Sequence, residues 1–179
     1  MTASGASGED DLWVSWPDYH RAIEELALMV HASDWQFDLI LCLARGGLRI
    51  GDVLSRLFEK PLAILATSSY REAAGTVQGE LDIAAHITLT QGELAGRVLL
   101  VDDLVDSGAT LLAVSRHLAH DYPAVLEVRT AVLWTKAHAK VAPDYAHQIL
   151  PGNPWIHQPF EIYDGLGLEG LRRRHRDDA

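Results

Sequence analysis

The chain has 179 residues, enough to bury one full hydrophobic core and marginal for two, and its formal net charge of -10 argues against nucleic acid or an anionic membrane surface as its main partner. No apolar run approaches the length of a membrane span, and the N-terminus lacks a basic stretch followed by an apolar one, so a cytoplasmic protein without membrane attachment is expected. The single cysteine, Cys42, excludes an internal disulfide.

Residues 1–11, rich in Gly, Ser and acids, read as a disordered leader, and residues 12–170 as one domain. Pro17 to His31 carries Ile23, Leu26, Ala27 and Val30 at helical spacing, with Pro17 in the first turn. Phe37 to Leu43 reads as a buried strand that holds Cys42, and Leu43-Ala-Arg-Gly-Gly-Leu48 follows it. There Gly46 and Gly47 let backbone amides approach an anion, and Arg45 adds a fixed charge. A helix from Leu48 to Phe58 and a strand from Leu62 to Ala66 complete a strand-helix-strand rhythm, which favours a parallel sheet. A polar stretch, Ser68 to Gly79, comes next, and residues 81–90 then alternate as a half-exposed strand.

Val98 to Val101 is a short apolar run suited to a strand buried on both faces. Asp102 and Asp103 follow at once, then Asp106, then the small residues Ser107, Gly108, Ala109 and Thr110, and then a helix with Leu111, Leu112, Val114 and Leu118 on its apolar face. Small residues at a helix start let N–H groups converge on a phosphate. Carboxylates suit vicinal hydroxyls and a shared magnesium ion instead. One ligand that carries both groups is a ribose 5-phosphate. Val125 to Trp134 forms a further strand, ending close to Lys136. The remainder, rich in Pro, Gly and aromatics, is too broken for another long helix; a hood mainly from residues 135–165 and a charged tail at 171–179, with Arg172, Arg173, Arg174 and Arg176, are expected. His117 and His120 read as solvated.

The run from Val98 to Thr110 resembles the phosphoribosyl pyrophosphate (PRPP) motif of type I phosphoribosyltransferases, and the order of the other segments resembles the bacterial xanthine-guanine and hypoxanthine branch from about Asp38 to Phe160. The resemblance implies an α/β fold with a central parallel sheet flanked by helices, a flexible lid and a small C-terminal hood. It implies transfer of a 5-phosphoribosyl group to a 6-oxopurine in purine salvage, with Mg2+ as cofactor, PRPP and a purine base as substrates, and a dimer or tetramer as assembly. By that match Asp102 and Asp103 hold the ribose hydroxyls and the magnesium, residues 106–110 bind the 5-phosphate, and Arg45, Gly46 and Gly47 receive pyrophosphate. The Ala44–Arg45 peptide is implicated as cis, and Ser69 and Tyr70 as part of the lid. Lys136 matches the base-recognition lysine, followed here by Ala137 where that branch usually has proline.

Trp155-Ile-His-Gln-Pro-Phe160 resembles the branch's purine-contact stretch, with Trp155 stacking on the base and the Ile156 backbone at its edge; His157 and Phe160 replace a glutamate and a tryptophan. Asp106 stands where 6-oxopurine enzymes usually carry aspartate, which suits a base that accepts the N7 proton. A regulatory protein of the same fold that binds PRPP or nucleotide, and a transferase for another heterocycle, remain open alternatives.

Overall fold

The computed structural model describes residues 11–71 and 78–177. They form two compact units, one from residues 22–153 and the other from the two ends of the chain, up to residue 21 and from residue 154. Helix α1 (Trp16–Ala32) begins in the latter and ends in the former. Its start is capped by Ser15, whose Oγ accepts from the Asp18 N–H at 3.2 Å.

The larger unit is built on β2 (Leu39–Ala44), α2 (Leu48–Leu57), β3 (Leu62–Arg71), β4 (Gln78–Ile83), β5 (Thr88–Leu89), β6 (Gly96–Val105), α3 (Ala109–Asp121), β7 (Val125–Lys136) and β8 (Tyr145–Leu150). The strand order is β4-β3-β2-β6-β7-β8, with β5 beside β3. Strands β3, β2, β6, β7 and β8 run parallel; β4 and β5 are antiparallel to β3. The continuous apolar runs expected of β2 and β6 are buried throughout their sheet-forming parts because both faces are covered.

On one face Leu39, Leu41 and Leu43 of β2, Ala63 and Leu65 of β3, and Val98 and Leu100 of β6 pack with Leu111, Val114 and Leu118 of α3. The alternate residue Cys42 meets α2 through Gly51. Each large side chain buried in this way contributes about 1.5–3 kcal/mol. The thiol of Cys42 donates to the Ala63 carbonyl at 3.4 Å, and burial pushes its pKa up to about 12.

The smaller unit contains β1 (Leu12–Trp13), β9 (Ile156–His157) and α4 (Ile162–Asp177), and β1 pairs parallel with β9. Residues 1–10 of the expected leader lie outside the described residues, and Asp11 is bonded to the segment before β9. Three expectations are corrected. The alternating run at 81–90 is not one strand: β4 ends at Ile83, β5 starts at Thr88, and Ile83, Ala84 and Ile87 turn onto the core. The C-terminal third does hold a long helix, α4, which absorbs Gly167 as a kink at φ 58° and buries none of its residues. Arginine and leucine are good helix formers, and that local preference outweighs the glycines. His117 is half-buried rather than solvated, with Nδ1 2.7 Å from Asp121 and its ring against Tyr122. Strand β8 belongs to the parallel sheet, and β1 joins β9.

Candidate active site

Across the sheet, β3 lies on one side of β2, while β6, β7 and β8 lie on the other. Chains leaving β2 and β6 therefore depart in opposite directions, and a crevice opens beyond their carboxyl ends, where open α/β sheets bind ligands. Both loops run directly into helix N-termini, those of α2 and α3, which favour negative charge.

The first loop follows β2. Its Ala44–Arg45 peptide is cis. Gly47 donates to the Leu43 carbonyl at 2.8 Å, and its α-carbon faces the Val101 carbonyl of β6 so closely that a side chain has no room. Gly46 lies against the acid pair: a Cβ there would stand 2.6 Å from Asp103 Cγ and 2.8 Å from Asp102 Oδ1. The anion-loop candidate and both acids thus line one small space. Arg45 is exposed at its edge.

Asp102 Oδ1 accepts from the Asp103 N–H at 3.0 Å. Burial, and then the neighbouring Asp103 carboxylate, hold the Asp102 carboxyl well above the usual carboxylate range. Two hard oxygen donors crowded in this way fit a magnesium ion that also takes ligand and water oxygens. Among the described residues no group of three or more His, Cys, Asp or Glu side chains stands ready to hold a metal unaided.

The second loop follows β6. Gly108 takes the left-handed conformation at φ 84° and caps α3 without a side chain. A Cβ there would lie 2.8 Å from Val141 Cβ, and the Ser107 carbonyl accepts from the Lys140 N–H at 3.0 Å, so residues 107–108 are braced by the segment after β7. Ser107 Oγ accepts from the Ala109 N–H at 3.3 Å. Thr110 is half-buried in the first turn of α3.

In the register of β6 and β7, Val105 pairs with Thr135, so the next residues, Asp106 and Lys136, emerge side by side. Lys136 Nζ is 3.5 Å from Asp106 Oδ1 and donates to Asn153 Oδ1 at 2.5 Å. The lysine side chain is only 9% exposed while Asp106 is 59% exposed. His138 Nε2 also reaches Asp106 Oδ1, at 3.1 Å.

In the smaller unit, Leu12 N–H donates to the Trp155 carbonyl at 2.8 Å and Val14 N–H to the His157 carbonyl at 3.0 Å. Parallel pairing of this kind turns the Ile156 N–H and carbonyl to the opposite edge of β9. Asp11 accepts from the Trp155 N–H at 3.3 Å and lies 3.1 Å from His157 Nε2. Trp13 stacks on His157 at 3.7 Å between ring centroids, and Trp155 is half-exposed.

Residues 14–164 match the phosphoribosyl transferase domain family, a span that contains both loops, the acid pair and the Lys136 strand. The chain belongs to the phosphoribosyl transferase domain family. Within that family it is 28% identical over 155 residues to a xanthine-guanine phosphoribosyltransferase of Idiomarina loihiensis, covering 86% of this chain and 88% of that protein. Among solved structures it is similar to a purine phosphoribosyltransferase from Pyrococcus horikoshii, at TM-score 0.68 and 29% identity over 84% of this chain and 93% of that one. A xanthine-guanine-hypoxanthine phosphoribosyltransferase from Helicobacter pylori matches at TM-score 0.70 and 25% identity, covering 91% of this chain and 99% of that one.

The fold is the α/β phosphoribosyltransferase fold, with its mostly parallel sheet and flanking helices. Of the residues singled out from the sequence, Gly46 meets Asp102 and Asp103, and Asp106 meets Lys136. Trp155 and Ile156 stand in the smaller unit. Ser69 and Tyr70, expected in the lid, are among the last residues of β3, and residues 72–77, which follow, lie outside the described residues. His138 and Asn153 were not singled out. Their only signals in the sequence are position, two residues after Lys136 and two before Trp155.

Proposed function

We propose that this chain transfers the 5-phosphoribosyl group of PRPP to N9 of a 6-oxopurine, giving the nucleoside monophosphate and pyrophosphate, as a purine salvage enzyme of the cytoplasm. The observation that carries this reading is the pairing of Asp106 with Lys136 at 3.5 Å, a carboxylate and an ammonium side by side at the carboxyl ends of two adjacent strands. Guanine, xanthine and hypoxanthine present N7 beside O6, and such a pair is matched to that edge: the carboxylate accepts a proton from N7 while the ammonium donates to O6.

In the reaction the bond from C1′ to the pyrophosphate oxygen breaks, the bond from C1′ to N9 forms, and the purine proton passes to Asp106. Asp102 and Asp103 accept from the ribose hydroxyls. Ser107, Gly108, Ala109 and Thr110 hold the 5-phosphate with the N-terminal end of α3, and Arg45, Gly46 and Gly47 receive the departing pyrophosphate at the start of α2. Asp102 and Asp103 would hold Mg2+, which when bound would supply positive charge to the leaving group. Trp155 stacks on the purine and the Ile156 backbone reads its edge. Ser69 and Tyr70 belong to the lid that keeps water from the cationic sugar carbon. The assembly is a dimer or tetramer, which light scattering checks.

The test is pyrophosphate release from PRPP with Mg2+ when guanine, xanthine, hypoxanthine, adenine and uracil are offered separately. Turnover with the 6-oxopurines and not with adenine or uracil is expected. Turnover with adenine or uracil alone would move the chain to another heterocycle, and tight PRPP binding without turnover on any base would make it a regulatory binder.

A further inference from the structure

We propose that His138 is the positioning residue that orients Asp106 for proton transfer, an inference that rests on the reaction proposed above. A carboxylate that must meet N7 has to be held to within about 0.5 Å and 10–20° of its working geometry. Asp106 is a mostly exposed side chain beyond the end of β6, so its own packing does not hold it. Lys136 is a poor clamp: its contact with Asp106 is 3.5 Å long, and its ammonium is committed to Asn153 at 2.5 Å. During the reaction it must also donate to O6.

His138 has none of those other commitments. Its Nε2 lies at hydrogen-bond distance, 3.1 Å, from Asp106 Oδ1, the same oxygen that Lys136 approaches, and an ionised carboxylate only accepts, so Nε2 donates. Engagement of Oδ1 leaves Oδ2 for the purine.

The backbone that carries His138 is fixed on both sides. Ala139 N–H donates to the Lys136 carbonyl at 3.0 Å, Lys140 N–H to the Ser107 carbonyl at 3.0 Å, and Val141 packs on Gly108. The backbone that carries the imidazole is therefore tied to the loop that directly follows Asp106. When the purine draws Lys136 toward O6, His138 keeps the carboxylate in place. The presence of Ala137 after the lysine, where the resembling branch has proline, accompanies this local arrangement.

The test is steady-state kinetics on the full chain with PRPP and its best 6-oxopurine, for the parent, His138→Ala, His138→Gln and Asp106→Asn, and for Asp106→Asn combined with His138→Ala. His138→Ala should lower kcat about tenfold and leave the PRPP KM unchanged, and His138→Gln, whose amide still donates, should recover most of that loss. In the Asp106→Asn background the same His138→Ala change should cost less than about twofold, because the group it orients is gone.

A His138→Ala enzyme within about twofold of the parent overturns the proposal. So does a full tenfold loss in the Asp106→Asn background, or a His138→Gln enzyme no better than His138→Ala. A parent chain that turns over no 6-oxopurine removes the reaction and this role together, whereas an active parent indifferent to His138 removes the role alone.

Discussion

Replacing Gly46 by alanine puts one methyl group into the space shared by the β2 loop and the acid pair. The new Cβ would lie 2.6 Å from Asp103 Cγ and 2.8 Å from Asp102 Oδ1, where ordinary contact begins at 3.4 Å. With Asp103 Oδ1 nearer still, relief requires the carboxylates or the loop to retreat by roughly 0.6–1.0 Å, a large shift in a close-packed surrounding. Misplacement by about 1 Å typically costs a factor near 10² in rate, or about 2.7 kcal/mol of transition-state stabilisation. Gly46→Ala should therefore lower kcat/KM for PRPP about a hundredfold. The loss should fall on PRPP rather than on the purine, because the methyl group touches the two acids and not Lys136. Initial rates over a matrix of both substrates, with thermal unfolding as a control on the fold, measure this. A variant that keeps its melting temperature and stays within about threefold of the parent in kcat/KM for PRPP would refute the close approach of Gly46 to the acid pair.

Lys136→Ala should raise the KM of the 6-oxopurine more than about tenfold while that of PRPP holds, since the proposed O6 donor is lost and Lys136 reaches only Asp106 at the start of the loop proposed for the 5-phosphate; equal effects on both substrates would contradict this. Gly51→Ala places a Cβ 2.7 Å from Cys42 Cβ, in the contact between α2 and β2, and should destabilise the fold by about 1–3 kcal/mol in urea unfolding with little change in activity per folded molecule. Cys42 should resist thiol reagents until the chain unfolds. Its thiol is raised from 9.0 to about 12 in the folded protein. The unfolded chain thus loses this proton above pH 9 while the folded chain keeps it, and stability should fall with rising pH by up to about 1.4 kcal/mol per unit between those values. Comparison with Cys42→Ala isolates that slope.

The acid pair and the small-residue loop were legible because their chemistry is local. Asp102 to Thr110 occupy nine consecutive positions, so strand, carboxylates and helix start declare one another. The buried strands were legible for a similar reason, as runs such as Leu39 to Leu43 suit only a strand covered on both faces. Contacts made by register were not legible. His138 meets Asp106 across 32 positions and Asn153 meets Lys136 across 17; the first pair needs β6 and β7 side by side with Val105 against Thr135, and the second needs β7 and β8 side by side with Lys136 against Leu150. A two-residue strand such as β1 is too short to show any period, so the role of Asp11 to Val14 in fastening Trp155 and His157 was hidden inside an expected leader and its flank. The two-part helix α4 read as a broken segment because of its glycines and the prolines and aromatics before it, and it absorbs Gly167 as a kink instead of ending there.

The pairing of β1 with β9 joins residues separated by almost the whole length of the chain. As synthesis proceeds from the N-terminus, the strands of the larger unit emerge while Leu12 and Trp13 still lack the partner they will pair with. The Trp155–His157 segment acquires its backbone frame only by pairing with a strand made about 140 positions earlier. A nascent chain is thus able to bring the loops after β2 and β6 and the acid pair together before β1 and β9 can pair.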